Sequence, residues 1–229
     1  MNGNDGSALT AKGGLCIGGD LFGLCGAARS GAQGTLELLN SASVAAGRGT
    51  LVGPGGKIIG SSDLAAEGLG VHVANGGVIA PGVLVLSPQS ASRLATATGA
   101  PGTLTIHGSL TMSETARLEL DLFGPAAAQQ DRLVVTGTVA LDGVLALNFT
   151  NGYAPRQGDV LTFVTVGGAA TGRFANVTIT GLEPGFQFEM DVTNGAVTLT
   201  ALNDGVPTTS APHSLFLPLV ARPYGPYSP

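Results

Sequence analysis

Apolar side chains recur mostly at every second position between Gly102 and Thr150, and this feature most constrains what the chain can fold into. A period of two turns one side of an extended segment toward a core and the other toward water, whereas a helix repeats about every 3.6 residues. Short runs of this kind, each closed by a glycine or an Asp-Gly pair, predict a stack of short β-strands. The apolar positions are Leu104, Ile106, Leu110, Met112, Leu118, Leu120, Leu122, Leu133, Val135, Leu141, Val144, Leu145, Leu147 and Phe149.

A regular pattern of short apolar segments begins at Thr35, where each apolar pair or triplet is followed by Gly, Asn, Ser or Pro. Several such rungs fall within about twenty residues, a period at which the coils of solenoids stack. A rung this short cannot bury its own inner side, so neighbouring coils must supply the core. The sequence therefore predicts an all-β fold, a right-handed parallel β-helix or solenoid that ends in a β-rich antiparallel cap.

The strands lengthen after Asp131, and most of the aromatic residues follow it. A cap is physically required, because the last coil of a solenoid otherwise leaves an open row of backbone donors and acceptors. The predicted organisation is an irregular Gly-rich leader or first coil over 1–34, the β-solenoid over 35–130, the cap over 131–202 and a Pro/Ser/Thr-rich tail over 203–229.

Turn signals divide the strands. Asp142-Gly143, Asn151-Gly152 and Asn194-Gly195 are flanked by alternating strands and could each close a hairpin. Glycine also suits the tight corners of a β-coil, because it adopts left-handed backbone at little cost. Between Ser87 and Pro101 the alternation lapses, which predicts a loop that protrudes from the stack.

Charge is scarce: 11% of the residues are charged, the net charge is −5 and the mean hydropathy is +0.35. The longest uncharged apolar run, Val160 to Thr171, is shorter than the ~20 residues that a membrane-spanning helix needs, and glycine interrupts it. The negative charge disfavours nucleic acid and anionic membrane surfaces. We expect no nucleic-acid partner and no integral membrane segment in this chain.

Candidate chemistry is limited to a few carboxylates. Glu119 and Asp121 lie two apart on one predicted strand and share a face, with Glu114 and Asp131 nearby. Paired carboxylates on a β-helix could bind calcium or serve a polysaccharide-cleaving enzyme, although a solvated strand face is the simpler interpretation. No nucleophile elbow, P-loop, His-Glu-x-x-His or Cys-x-x-Cys motif occurs. We predict no enzyme, and no catalytic, cofactor-binding or metal-binding residue.

Two cysteines, Cys16 and Cys25, lie close together in a Gly-rich segment. In an exported protein such a pair indicates a small disulfide loop, and the alternative is two buried thiols. The first residues lack the basic segment and apolar run of a signal peptide. Either the protein is not exported, or this start is not the native one. Because the first residues already resemble a solenoid turn, we expect this chain to be a C-terminal piece of something longer.

The order of five segments, GVIAPG, GTLTIHGSLTMSETARLELDL, DRLVVTGTVALDGVLAL, YAPRQGDVLTFVTV and TGRFANVTI, resembles a known family. It is similar to the C-terminal region of the β-helical passengers, with passenger-associated repeats, of bacterial autotransporter-like surface proteins. The matching elements span roughly residues 77–200, most of the chain. The resemblance implies an extracellular or cell-surface location and a last-coil segment that nucleates folding outside the cell.

The predicted function is a non-enzymatic structural or adhesive portion of an exported bacterial surface protein, whose cap stabilises the solenoid and could nucleate its folding. The expected partner is an extracellular glycan or the surface of a host or neighbouring cell. One alternative is a carbohydrate-binding module that displays ranks of threonine, for which Thr103, Thr105, Thr111, Thr136 and Thr138 are candidates. A polysaccharide-cleaving β-helix enzyme ranks third, and no cofactor is expected.

The tail changes composition again. After the linker that follows Asn203, residues 215–220 read LFLPLV. The segment from Ser214 to Arg222 resembles a short C-terminal tail found on exported proteins of filamentous green bacteria. The alternative is a strand or clip that docks on the cap, and the prolines rule out an ordinary helix.

Overall fold

The computed structural model describes residues 2–3, 8–19, 33–39, 41–85, 98–193 and 195–208. In this part of the chain the regular structure is β-strand apart from one 3-10 turn, Ala127–Gln129. In chain order the strands are β1 (Asn2–Gly3), β2 (Ala8–Ala11), β3 (Leu15–Ile17), β4 (Gly34–Leu38), β5 (Ser43–Ala46), β6 (Thr50–Val52), β7 (Gly56–Gly60), β8 (Asp63–Ala66), β9 (Val71–Val73), β10 (Val78–Pro81), β11 (Val83–Val85), β12 (Thr98–Ala100), β13 (Thr103–His107), β14 (Leu110–Met112), β15 (Arg117–Leu122), β16 (Arg132–Val135), β17 (Val139–Leu141), β18 (Val144–Phe149), β19 (Val160–Val166), β20 (Ala170–Gly172), β21 (Asn176–Thr180), β22 (Phe188–Val192) and β23 (Ala196–Ala201).

Apart from β11, β12, β22 and β23, the strands join three sheets in rotation. Sheet I has the order β1-β4-β7-β10-β15-β18-β21, sheet II the order β2-β5-β8-β13-β16-β19-β23-β22, and sheet III the order β3-β6-β9-β14-β17-β20. We call three successive strands, one in each sheet, a circuit. Each circuit returns the chain to sheet I one strand further along.

Neighbouring strands of sheets I and III are parallel, and parallel pairing brings equivalent positions of successive circuits side by side. One apolar row across sheet I consists of Leu36, Ile58, Ile79, Leu118, Leu145 and Val177. The inward rows of the three sheets join in one hydrophobic core. Burial of each such aliphatic side chain contributes about 1.5–3 kcal/mol, so the core comes from stacking circuits and not from any single one.

The all-β prediction is confirmed in its broad form: the described residues are strands in largely parallel sheets. Within the same residues we find no helix with the length and apolar character needed to cross a membrane.

Two of the three predicted hairpins are wrong. Asp142-Gly143 lies between β17 and β18, and Asn151-Gly152 lies between β18 and β19, but in each case the two strands belong to different sheets. Both dipeptides form corners of a circuit. Their backbone explains the error, because Gly143 (φ 75°), Asn151 (φ 53°) and Gly152 (φ 70°) adopt the left-handed conformation that a corner needs as much as a hairpin does.

The third predicted hairpin is confirmed. β22 and β23 pair antiparallel with Val192 opposite Val197, and β23 also pairs antiparallel with β19. Asn194 itself lies outside the described residues. Sheet II thus ends in antiparallel strands, while sheet I remains parallel through β21. The proposed boundaries at residues 35, 131 and 203 remain predictions about folding units.

The predicted protruding loop also has paired flanks. β11 and β12 form a two-stranded antiparallel hairpin between β10 and β13, and residues 86–97 lie outside the described residues. The chain therefore has an insertion between β10 of sheet I and β13 of sheet II, and the regular succession of sheets resumes at Thr103.

Candidate functional site

The candidate site is the outward side of sheet I around β15. Alternation along β15 buries Leu118, Leu120 and Leu122 and leaves Arg117, Glu119 and Asp121 outward and partly exposed. Glu119 and Asp121 therefore share a face. Glu114 does not join them, because it lies exposed in the corner between β14 and β15.

Glu119 is the centre of an ion-pair group. Its Oε2 atom accepts a hydrogen bond from Lys57 Nζ at 2.8 Å, and its Oε1 atom accepts one from Arg117 Nε at 2.8 Å. Partial burial raises the pKa of Glu119, but the hydrogen bonds and charges of Lys57 and Arg117 outweigh that effect and hold the pKa below its usual value. Glu119 is thus an anion at neutral pH and is unsuited to general-acid catalysis.

Asp121 begins a second polar row across the same face. Its Oδ1 atom accepts from Asn148 Nδ2 at 2.9 Å, and Asn148 Oδ1 accepts from Thr180 Oγ1 at 2.9 Å. The row follows the register of β15, β18 and β21. Along β15 it lies two residues, or about 7 Å, from the Glu119 group.

Asp131 acts on the backbone and not as part of the exposed face. Its side chain is buried, with the residue 2% exposed, and its two oxygens accept from the backbone N–H groups of Gly102 and Asp121, each at 2.9 Å. The pKa of Asp131 is raised to about 7, chiefly by burial and to a smaller extent by the nearby charge of Asp121, while the two backbone hydrogen bonds oppose the shift. Asp131 therefore ties the segment before β13 to β15.

A glycine makes room for this carboxylate. A Cβ atom at Gly82 would lie 2.5 Å from Asp131 Oδ1, and Gly82 has a φ of 101°. A side chain at this position would displace the Asp131 carboxylate, which accepts hydrogen bonds from Gly102 and Asp121. Gly82 is therefore needed for space as well as for its backbone conformation.

Two shallow depressions flank β15. One has a volume of about 120 Å³ and is lined in part by Lys57, Ala80, Glu119 and Asp131. The other, of about 230 Å³, is lined in part by Arg117, Ala146 and Thr178. Pockets for drug-sized ligands span about 300–1,000 Å³, so neither depression encloses more than a small group. The face is better suited to surface contact than to an enclosed substrate.

Metal-ligand geometry is also lacking in the described ranges, where no three carboxylate, imidazole or thiolate residues come together to hold a metal ion. The predicted threonines are dispersed. Thr103 and Thr105 lie on sheet II, Thr111 lies on sheet III, and Thr136 and Thr138 lie in the corner between β16 and β17. These five residues do not form one rank.

The outward side of sheet III holds a wider depression of about 610 Å³, lined in part by Leu15, Cys16, Leu51 and Leu69. Cys16 lies on β3 with its side chain on this outer face. Cys25 lies outside the described residues, so the pairing of the two cysteines remains a prediction.

Sequence reasoning found Glu119 and Asp121 but missed Lys57, Asn148 and Thr180 as their partners. The alternation of β7, β18 and β21 marks these three positions as outward, which was the available signal. Lys57, Asn148 and Thr180 come near Glu119 and Asp121 because β7, β18 and β21 lie in the same sheet as β15. Alternation alone does not specify which strands share a sheet.

Comparison with known proteins adds no relative to this description. No family model matches the chain, and no curated protein sequence matches it. The resemblance to autotransporter-like passengers stays a prediction from the motifs.

Proposed function

We propose that this chain is a non-enzymatic structural segment of an exported bacterial surface protein, a right-handed parallel β-solenoid closed by an antiparallel cap. The observation that carries the proposal is the rotation of strands among three sheets with equivalent apolar residues aligned from circuit to circuit. The right hand follows from the strong general preference of parallel crossovers for that hand.

The outward polar groups support a structural role. Glu119 is held by two cations, and Asp121 is bonded to Asn148. Asp131 uses both carboxylate oxygens on backbone N–H groups. Because these candidate acids and bases already have partners within the fold, they stabilise the stack and are poorly placed to move protons on a substrate.

The C-terminal end supports the role of a cap. Phe186 packs against Phe149 and Phe188, with ring centroids 6.0 Å apart in each pair. Phe149 belongs to β18 and Phe188 to β22, so the aromatic contacts join a parallel strand of sheet I to the antiparallel hairpin. Such pairs add about 0.5–1.5 kcal/mol beyond burial, which makes this junction a firm end for the stack.

The surface location is tested on intact source cells with an antibody to the cap, before and after external protease, with a cytoplasmic protein as the control. We expect a band larger than 22.6 kDa that external protease removes while the cytoplasmic control survives. A band near 22.6 kDa that is protected until lysis would overturn the proposal.

A carbohydrate-binding surface is a second candidate, favoured by the two polar rows on sheet I. The Lys57, Glu119 and Arg117 group and the Asp121, Asn148 and Thr180 row offer donors and acceptors suited to sugar hydroxyls. The test is calorimetry with neutral and uronate oligosaccharides on the wild type and on Asn148→Ala, with Thr10→Ala as a control on another sheet. Binding that Asn148→Ala weakens supports this candidate, and no binding to either class of oligosaccharide removes it.

A further inference from the structure

The two sheet edges at the C-terminal end differ in charge. β22 is the last strand of sheet II and exposes Glu189 and Asp191, whereas β21 is the last strand of sheet I and has the uncharged sequence NVTIT. Charged side chains protect an edge strand from pairing with another chain. Among the described residues no strand lies beyond β21, so this edge has no protection of its own.

The inward side of β21 is also incompletely covered. Val177 and Ile179 continue the rows of Leu145 and Leu147, which are 0% and 1% exposed, yet both β21 residues are only partly buried. In the preceding strands of sheet I, the next parallel strand helps to bury these rows. Among the described residues no strand lies beyond β21, so the rows are left partly exposed at Val177 and Ile179.

The chain itself runs toward this edge. Glu183 N donates to Val206 O at 2.7 Å, Thr208 N donates to Gly181 O at 2.9 Å, and Leu182 pairs antiparallel with Pro207. If that register continued, residue 209 would lie beside Thr180 and residue 211 beside Thr178. Residues 209–229 lie outside the described part of the chain.

Backbone geometry sets how far such pairing can extend. Asn176 N donates to Gly143 O at 3.2 Å and so points toward β18, which by alternation turns the amides of Val177 and Ile179 away from β18. In the continued register, residue 210 would pair with Ile179 and Pro212 with Val177. Pro212 has no N–H group, so the reciprocal pairing ends there.

The sequence after Pro212 is apolar, which suits a segment that covers the partly exposed aliphatic side chains of β21. Residues 215–220 are LFLPLV, and residues 209–220 contain no Lys, Arg, Asp or Glu. Three residues of extended chain span about 10 Å, so the apolar segment begins within reach of β21. An uncharged apolar segment matches an uncharged edge and partly exposed aliphatic side chains.

We propose that residues 209–220 dock on the C-terminal end of the fold, with 209–212 pairing along the edge of β21 and LFLPLV covering Val177 and Ile179. The occupant of this surface is therefore the protein's own tail. The inference concerns the fold and does not depend on the proposed cell-surface role.

The primary test is amide hydrogen exchange at Val177 and Ile179 in the full chain, measured by NMR. We expect both amides to exchange about tenfold faster or more in the double variant Phe216→Asp, Leu217→Asp, because the charged side chains release the tail and local opening sets the exchange rate. Tyr224→Asp, outside the apolar segment, is the matched control and should leave both rates unchanged. A chain that stops at Thr208 should show the same acceleration as the double variant.

Equal rates in the wild type and the double variant would overturn the proposal. Protection that rises with protein concentration and survives the two aspartates would also overturn it, because the occupant would then be a second copy. Disulfide trapping gives an independent readout: Thr178→Cys with Ala211→Cys should cross-link, since this non-hydrogen-bonded pair would have its Cα atoms about 4.5 Å apart. Thr178→Cys with Ser228→Cys should not cross-link, and the two single variants identify any exchange with the native cysteines.

Discussion

The parallel circuits and the antiparallel end of this protein obtain packing partners for their apolar side chains in different ways. In the circuits, a residue such as Leu118 packs beside Ile79 and Leu145, which belong to the preceding and following circuits. In the β22–β23 hairpin, Val192 pairs with Val197 across one turn. Local contacts cost less chain entropy than distant ones. The comparison teaches that the pairing within the hairpin needs only a short stretch of chain, whereas each circuit needs a neighbouring circuit already in place.

The largest expected effect on stability comes from truncating a buried side chain in the parallel core. Leu118→Ala should lower the free energy of unfolding by about 2–5 kcal/mol, because Leu118 is fully buried between two circuits. Met190→Ala on β22 should cost clearly less, since Met190 is only partly buried. Urea denaturation of both variants measures the difference. Equal losses would erase the distinction between the two regions.

A corner between circuits should be the next most sensitive position. Gly143→Ala should cost about 2 kcal/mol or more, because Gly143 has a φ of 75° and a Cβ atom there would collide with the carbonyl oxygen of Ala116. Gly152→Ala is the matched control, since Gly152 has a similar φ of 70° but faces open space. Thermal unfolding of the two variants separates the collision from the backbone strain, and a larger loss at Gly152 would contradict this view of the corner.

The buried carboxyl between the insertion and β15 should give a pH dependence. Because the pKa of Asp131 is raised from 3.8 to about 7, the folded state binds a proton more tightly than the unfolded state. The contribution of Asp131 to stability is therefore greatest below about pH 4, falls as the pH rises toward 7 and levels off above it. At about 1.4 kcal/mol for each pKa unit, the full shift corresponds to a fall of at most about 4 kcal/mol over this window.

Asp131→Asn should remove that fall, and Asp191→Asn, an exposed position on β22, should retain it. Urea denaturation between pH 4 and pH 8 checks both variants. An unchanged pH profile in Asp131→Asn would show that the raised pKa does not govern stability in this window.

The smallest effect is expected on the outward face of sheet I. Glu119→Gln should change the free energy of unfolding by about 1 kcal/mol or less, because the Lys57, Glu119 and Arg117 group is partly exposed and solvent screens it. The test is denaturation at low and high salt, in which only the wild type should lose stability with added salt. If Glu119→Gln lost as much stability as Leu118→Ala, the ion-pair group of Glu119, and not the apolar rows, would hold the circuits together.

Alternation predicted an all-β fold and the two faces of individual strands. In β15 it correctly separated the buried Leu118 and Leu120 from the outward Glu119 and Asp121. It could not identify partners, because a period of two distinguishes inside from outside and says nothing of which strand lies alongside. Lys57 and Glu119 are 62 residues apart, and only the return of the chain to sheet I brings them together.

Turn chemistry was ambiguous for a related reason. Asn151-Gly152 supplies left-handed backbone, which a hairpin and a corner both require, so the dipeptide located the turn but not the sheet of the next strand. Asp131 was grouped with the exposed acids because it lies near them in sequence. Its buried role depends on the backbone N–H groups of Gly102 and Asp121, which no sequence pattern announces.

The dependence of the circuits on the C-terminal end is tested most directly by comparing three chains: the full chain, a chain that stops at Thr208 and the fragment 1–125. We expect the first two to unfold cooperatively in urea. Because fragment 1–125 lacks the antiparallel end and the circuits that join to it, we expect this fragment to be aggregated or rapidly cleaved by protease. A soluble, monomeric fragment 1–125 that unfolds in one cooperative transition would contradict the account.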